Sequence, residues 1–340
     1  MSNHRPSHGR LTTVASLFAL VFAGSSGAAI ADAGTASPAA VALETACSSA
    51  YAHTLTATAT NPCRKGTPIA NSASGPSTYT YQTFDYPGAS QTTLWGINDF
   101  GELGGQYTIG SGTAHAMVYR HDHFEPLDPD VLGNYFSAAG GPSDFGTTYG
   151  GYADASGLQH GFVIQGGHFA TVDFPGHLNS NVDQVNLFGA IAGVYWDADG
   201  AFHGVLRQGH GYDTPIDVAG ARETYPLGMN DNGEIVGYSD TDPNVTHGFY
   251  RSAKGQFSTI DVPNAAATVV FEINDGGQVA GYYVDASGNV HGFVETRGQF
   301  HNIDVPGAAS TLATAINNLG MIAGEYFDNA GMRHGFVATP

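Results

Sequence analysis

The chain has 340 residues, of which 11 are Lys or Arg and 30 are Asp or Glu, giving a formal net charge of −19. A chain this acidic, with no basic stripe, repels phosphate backbones, which excludes nucleic acid as a partner and leaves cationic groups, metal ions or neutral polymers open. Only 12% of residues are charged, 42% are hydrophobic and Gly numbers 47, the composition of a turn-rich globular protein rather than a disordered one.

Residues 1–31 read as a secretory leader: Arg5 and Arg10 precede the apolar run "LTTVASLFALVFAG", and Ala29-Ile30-Ala31 forms a small-residue cleavage site before Asp32. The apolar run is shorter than the roughly 20 residues a spanning helix needs, and no other segment approaches that length, so no membrane span is expected. The mature protein is therefore expected to be secreted, to the periplasm or beyond. Without Arg5 and Arg10, 9 basic residues face 30 acidic ones, or −21.

Residues 32–79 are rich in Ala, Ser and Thr and read as a linker. Cys47 and Cys63, the two cysteines of the chain, stand 16 positions apart in this segment. In an exported chain they most simply form one disulfide, and the spacing lacks the paired ligands of a zinc site.

From residue 80 onward one motif recurs six times. Gly105, Gly150, Gly193, Gly237, Gly281 and Gly324 follow one another at steps of 45, 43, 44, 44 and 43. A His stands ten residues after each: His115, His160, His203, His247, His291 and His334. The Asp of an "IDVPG"-like segment keeps the same beat at Asp85, Asp128, Asp173, Asp217, Asp261 and Asp304. A period near 44 marks a repeat architecture. The fifth copy shows the unit: "FSTIDV", "VVFEIN", "QVAGYY" and "HGFVET" are short β-branched or aromatic runs separated by Pro-Asn, Asn-Asp-Gly-Gly and Asp-Ala-Ser-Gly turn signals. Four antiparallel strands per copy, six times over, predict an all-β, six-bladed β-propeller over residues 80–340.

The order of the strands also predicts how the ring closes. The last copy stops after "HGFVATP" with three strands, while "TYQTFDYPG" at residues 80–88 is an unpaired copy of the missing fourth. An N-terminal strand completing the last blade removes both open edges. Within each copy the Gly of "AGxY" is expected to permit close backbone approach. The six His are expected to tie each blade internally rather than to share a metal, because ligands must converge on one ion and radial copies do not. Thr92, Ser137, Ser180, Thr224, Thr268 and Thr311, six positions before the Asn site, are expected to bond the preceding loop.

The combination I-N-x-x-G, A-G-x-Y and D-x-x-G-x-x-H-G-F-V resembles the bacterial extracellular repeat family named after its His-Ala-Phe tripeptide. The resemblance covers residues 80–338; here the tripeptide is mostly His-Gly-Phe, as at His247-Gly248-Phe249, and in the first copy His115-Ala116-Met117. It implies export and a propeller-like array, and carries no catalytic positions, since the family's repeat residues are scaffold.

If "TxxxxIN" is the innermost strand, the loops after "IDVP" and those holding "DxxG" share one face, and the opposite face receives tight turns. Function is expected where the longer loops depart from consensus. The second copy has Tyr135 and Phe136, the third His177, Asn179 and Asp183, the fourth Arg222, Glu223 and Tyr225; Trp196 and Asp197 join the same face. Glu272 stands where the other copies have Gly, Ala or Gln. Tyr135, Phe136 and Trp196 would offer apolar faces to a sugar, with His177, Arg222 and Tyr225 completing a ligand site.

No nucleophile elbow, zinc-protease helix, phosphate loop or dinucleotide fingerprint is present. The expected function is a secreted, monomeric binding module for a glycan or extracellular protein ligand. The alternative is a polysaccharide lyase, with Arg222 neutralising a uronate while His177 or Tyr225 takes a proton, or a glycoside hydrolase using Asp183 and Glu272. Asp197 and Asp199 in "DADG" are a weak calcium site, lacking the length and closing Glu of an EF-hand.

Overall fold

The structure is a computed structural model and describes residues 79–127, 136–176, 179–197, 200–209, 212–242 and 245–340. The leader, the linker up to residue 78, both cysteines, Asp128, Tyr135, His177 and Asp199 lie outside the described residues. The described chain is all-β: 24 strands form six four-stranded antiparallel sheets arranged as the blades of a propeller. Among these residues no helix is long and apolar enough to cross a membrane.

The innermost strands are Gln91–Ile97, Ser137–Ala139, Asn179–Val185, Glu223–Met229, Ala267–Ile273 and Ser310–Ile316, the "TxxxxIN" segments. Each blade then steps outward in sequence order. In blade six the order is Ser310–Ile316, Ile322–Phe327, Arg333–Thr339 and finally Thr80–Phe84. This last pair is antiparallel, with Thr80 opposite Thr339 and Phe84 opposite Gly335, so the N-terminal strand closes the ring.

The repeated residues form the joints of the blades. A Cβ on the Gly of "AGxY" would fall between 1.9 and 2.2 Å from a carbonyl oxygen of the innermost strand in all six blades, at Thr93, Ala138, Asn181, Tyr225, Val269 and Leu312. Only Gly fits there. The third residue of the tripeptide is core: Met117, Phe162, Val205, Phe249, Phe293 and Phe336 are all buried between sheets. Burying each Phe contributes about 2–3 kcal/mol.

Each described His partner is the Asp of the "IDVP" segment. The pairs are His160 with Asp173 at 2.9 Å, His203 with Asp217 at 3.2 Å, His247 with Asp261 at 2.7 Å, His291 with Asp304 at 3.0 Å and His334 with Asp85 at 2.8 Å. These contacts pin the outermost strand to the third strand of its own blade. The Thr and Ser hydroxyls act at the next joint: Thr92, Ser180, Thr224, Thr268 and Thr311 accept the N–H of Tyr86, Phe174, Val218, Val262 and Val305. Ser137 accepts instead from Ala116 of blade one.

Candidate functional site

Five of the six innermost strands carry a one-residue bulge, where a single side chain has no partner opposite. The extra residues are Trp95, Asp183, Leu227, Phe271 and Thr314, with Gly140 at the corresponding place in blade two. All six line one cavity in the central shaft, with about 50 Å³ open to the centres of water-sized molecules. A bulge turns its residue away from the ladder, and here it turns it into the shaft. Trp95 and Phe271 face each other from blades one and five, with ring centroids 6.3 Å apart.

One residue further along each strand stand Gly96, Gly141, Gln184, Gly228, Glu272 and Ala315. The two long side chains meet: Gln184 Nε2 donates to Glu272 Oε2 at 2.7 Å, joining blade three to blade five. They span blade four over Gly228, where a Cβ would stand 2.7 Å from Glu272 Oε1. Glu272 Oε1 also accepts the N–H of Ile273. Tyr149, buried in blade two, is hydrogen-bonded to Gln184. Glu272 and Gly140 border both this cavity and a second, of about 100 Å³, at the end of the shaft where the tight turns lie.

Burial pushes the carboxyls of Asp183 and Glu272 up to about 8. Asn181 Nδ2, donating to Asp183 Oδ1 at 2.5 Å, works against the rise, as do the Ile273 and Gln184 donors on Glu272. Both side chains keep some accessible surface, yet protein surrounds them, because that surface borders a shaft only wide enough for waters. Enclosure governs their charge, and near neutral pH both carry protons.

At the mouth on the tight-turn face, two belts of hydrogen bonds run from blade to blade. In the first, the Asn ending each innermost strand donates its Nδ2 to the matching carbonyl of the next blade: Asn98 to Ser143, Asn186 to Asn230, Asn230 to Asn274, Asn274 to Asn317 and Asn317 to Asn98. In the second, the following residue's N–H donates to the next blade's side-chain oxygen: Asp99 to Asp144, Leu187 to Asp231, Asp231 to Asp275, Asp275 to Asn318 and Asn318 to Asp99. Both belts break between blades two and three. Ser143 is too short to reach across, and Leu187 offers no acceptor.

The second belt places Asp99, Asp144, Asp231 and Asp275 around the mouth. Burial raises the pKa of Asp144 and Asp231, and repulsion from the other members of the ring adds to it. Beside them the turns of blades one to three present Phe100, Phe145 and Phe188, which are 51, 58 and 75% exposed, with Leu187 at 45%. Blades four to six have Asn232, Gly276 and Leu319 at the Phe position.

The residues expected on the longer-loop face are largely engaged elsewhere. Phe136 is buried against Ala138, Ala153 and Trp95, and Tyr225 is buried, stacked on Tyr238 at 4.3 Å with its hydroxyl donating to Glu223. Neither presents a face to a ligand, and burial raises the Tyr225 phenol above its ordinary pKa, which unsuits it as a base. Arg222 remains half-exposed but pairs with Glu223 Oε1 at 2.8 Å. Trp196 packs on Phe202, ring centroids 5.0 Å apart. Asp197 Oδ1 accepts the N–H of Ala201, and Oδ2 lies 3.4 Å from His203, so this carboxylate takes part in the turn and the blade joint. Of the sequence-derived candidates, Asp183 and Glu272 come together, in one cavity. The mouth of the shaft was missed; its signal is the Phe shared by "NDFG", "SDFG" and "NLFG" in three consecutive copies.

Fold and shaft together define a six-bladed β-propeller with a narrow channel and an acidic, aromatic-edged mouth. Among solved structures the chain is similar to a triple mutant of AofleA from Arthrobotrys oligospora, at 11% identity over 78% of this chain and 88% of that one, with a TM-score of 0.51. It is also similar to the BP39L lectin from Burkholderia pseudomallei, at 13% identity over 70 and 78% with a TM-score of 0.43, and to TolB from Acinetobacter baumannii, at 7% over 70 and 63% with 0.47. No family model matches the sequence, and no curated protein does.

Proposed function

We propose that this propeller is a glycan-binding module whose site is the mouth of the shaft on the tight-turn face. The observation that carries the reading is the arc of Phe100, Phe145 and Phe188, exposed on three consecutive blades beside a ring of hydrogen-bonding carboxylates. Aromatic faces next to polar groups suit a sugar ring, which has an apolar face and a hydroxylated edge. A glycan array read by the purified chain tests it. Binding that Phe145→Ala with Phe188→Ala abolishes supports the reading, and an array without signal ends it.

Glycoside hydrolysis is the second reading, favoured by one observation: Asp183 and Glu272 share a cavity and hold protons near neutral pH. The shaft holds about 100 Å³ at its wider end, well below the roughly 300 Å³ at which ligand pockets begin, so a sugar cannot reach these acids without the shaft opening. Release of reducing ends from any bound polysaccharide, lost in Glu272→Gln, would establish the hydrolase.

The proposal includes export by the leader at residues 1–31, a Cys47–Cys63 disulfide in the linker, and kinship with the His-Ala-Phe repeat family. N-terminal sequencing of the cell-free product checks the first: a mature chain starting at Asp32 supports it, and an intact Met1 refutes it.

A further inference from the structure

We infer that the shaft mouth selects a cationic glycan, one carrying free amino groups on its sugars; this deepens the glycan reading and rests on it. The inference starts from a comparison within the belt. At the sixth blade the position is Asn318, whose Oδ1 accepts the N–H of Asp275 at 2.8 Å, the bond that Asp144, Asp231, Asp275 and Asp99 accept elsewhere in the ring. A neutral amide therefore suffices to join blades. At Asp144 and Asp231 the carboxylate adds only charge, whereas Asp99 and Asp275 also accept Asn318 Nδ2 through Oδ2, at 3.2 and 3.1 Å. Holding like charges around one opening costs stability.

That charge has no counterpart at the site. Neither cavity is lined by a Lys or Arg. Asp144 and Asp231 each spend Oδ1 on a backbone N–H, and among the described residues their Oδ2 atoms accept no protein hydrogen bond. A ligand bearing N–H donors and positive charge would meet both needs, replacing mutual repulsion with charge-assisted hydrogen bonds. The four acids are spread too widely for a bare ion: among the described residues no three His, Cys, Asp or Glu converge closely enough to hold a metal. Ammonium groups spaced along a polymer match a ring of separated carboxylates better than one chelated ion.

The aromatic arc supplies the rest of the recognition. Phe145 borders the same cavity as the acids, and Phe100 and Phe188 occupy the same turn position on either side of it. An extended oligosaccharide lying along blades one to three would stack on these rings and direct its amino groups toward Asp99, Asp144 and Asp231. The net charge of −19 steers such a ligand toward the protein from a distance.

Calorimetric titration of the full chain with a fully deacetylated β-1,4-glucosamine hexamer, its N-acetylated form and a neutral glucose hexamer tests the inference. The amino form is expected to bind about tenfold tighter than either neutral form at low salt, and to lose that margin at about 0.5 M salt, where exposed charges are screened. Asp144→Asn with Asp231→Asn keeps the belt acceptors, as Asn318 does. It should leave the melting temperature unchanged or raised, and erase the tenfold margin between the amino and neutral forms. Equal binding of all three hexamers, unaltered by the double Asn variant but lost in Phe145→Ala with Phe188→Ala, overturns the charge inference and leaves the glycan reading standing. Binding of polylysine with no affinity for any hexamer overturns both, assigning the mouth to a basic peptide.

Discussion

Gln184 and Glu272 meet across the central shaft, 2.7 Å between Nε2 and Oε2, on blades that are not neighbours. The bond exists because Gly228 of the intervening blade has no side chain to obstruct it. It places a carboxyl in an enclosed space where its charge is disfavoured, and this has a measurable signature.

With Asp183 and Glu272 raised to about 8, the folded chain keeps two protons that the unfolded chain releases in the ordinary carboxylate range. The folded state then binds more protons between roughly pH 4 and 8, so stability falls as pH rises through that window and levels above it. Glu272→Gln retains an acceptor for Gln184 and removes one share of the slope. Thermal melts should show the variant more stable than the parent at pH 8, by about 2 kcal/mol after allowing for water in the shaft. Parallel curves at all pH values would refute the assignment.

The ring-closing joint has a different window. The Asp85 hydrogen bond is the main cause of a raised His334 pKa, and Asp328 adds to it. A raised His contributes stability that is full below about pH 6.5 and is lost as pH climbs through the folded value. Asp85→Asn should cost about 1 kcal/mol at pH 6 and nearly nothing at pH 9. Melts at these two values decide it.

The broken belts predict a stabilising pair. Ser143→Asn would supply the Nδ2 donor toward the Asn186 carbonyl, and Leu187→Asn an acceptor for the N–H of Asp144, as the other five junctions already do. Each restored bond should add about 1 kcal/mol, visible as a higher midpoint in urea. No gain would mean that blades two and three stand too far apart for either bond.

Gly281→Ala places a methyl 2.1 Å from the carbonyl oxygen of Val269. It should destabilise by about 3 kcal/mol or more. The neighbouring Ala280→Gly removes a buried methyl without a clash and should cost about 1 kcal/mol. Equal costs would show that the strand can shift to accommodate a Cβ.

Blade architecture was legible because each joint recurs with the same chemistry from copy to copy: Gly281 beneath the Val269 carbonyl, His291 on Asp304, Thr268 under the N–H of Val262. Such contacts lie within one repeat, so the period exposes them. The closing strand was legible for the same reason, as a copy out of place. The shaft was not. Asp183 and Glu272 stand out in the sequence as carboxylates, but nothing there shows that the bulge aims one at the cavity or that the radial order brings Gln184 to the other, 88 positions away. Phe136 and Tyr225 misled in the opposite sense, since departure from consensus marks equally a filled core and an open site; burial alone separates them.

Because Thr80–Phe84 pairs with Arg333–Thr339, the earliest described strand to leave the ribosome finds its partner only when the last has been made. At roughly 5–20 residues per second, the intervening stretch of about 250 residues takes some 10 to 50 s to synthesise. During that interval Thr80–Phe84 has no strand beside it, the state most exposed to strand-to-strand association with a neighbouring chain. Pairing of the sixth blade's last two strands, rather than the formation of any earlier blade, is thus the step at which this protein becomes a ring.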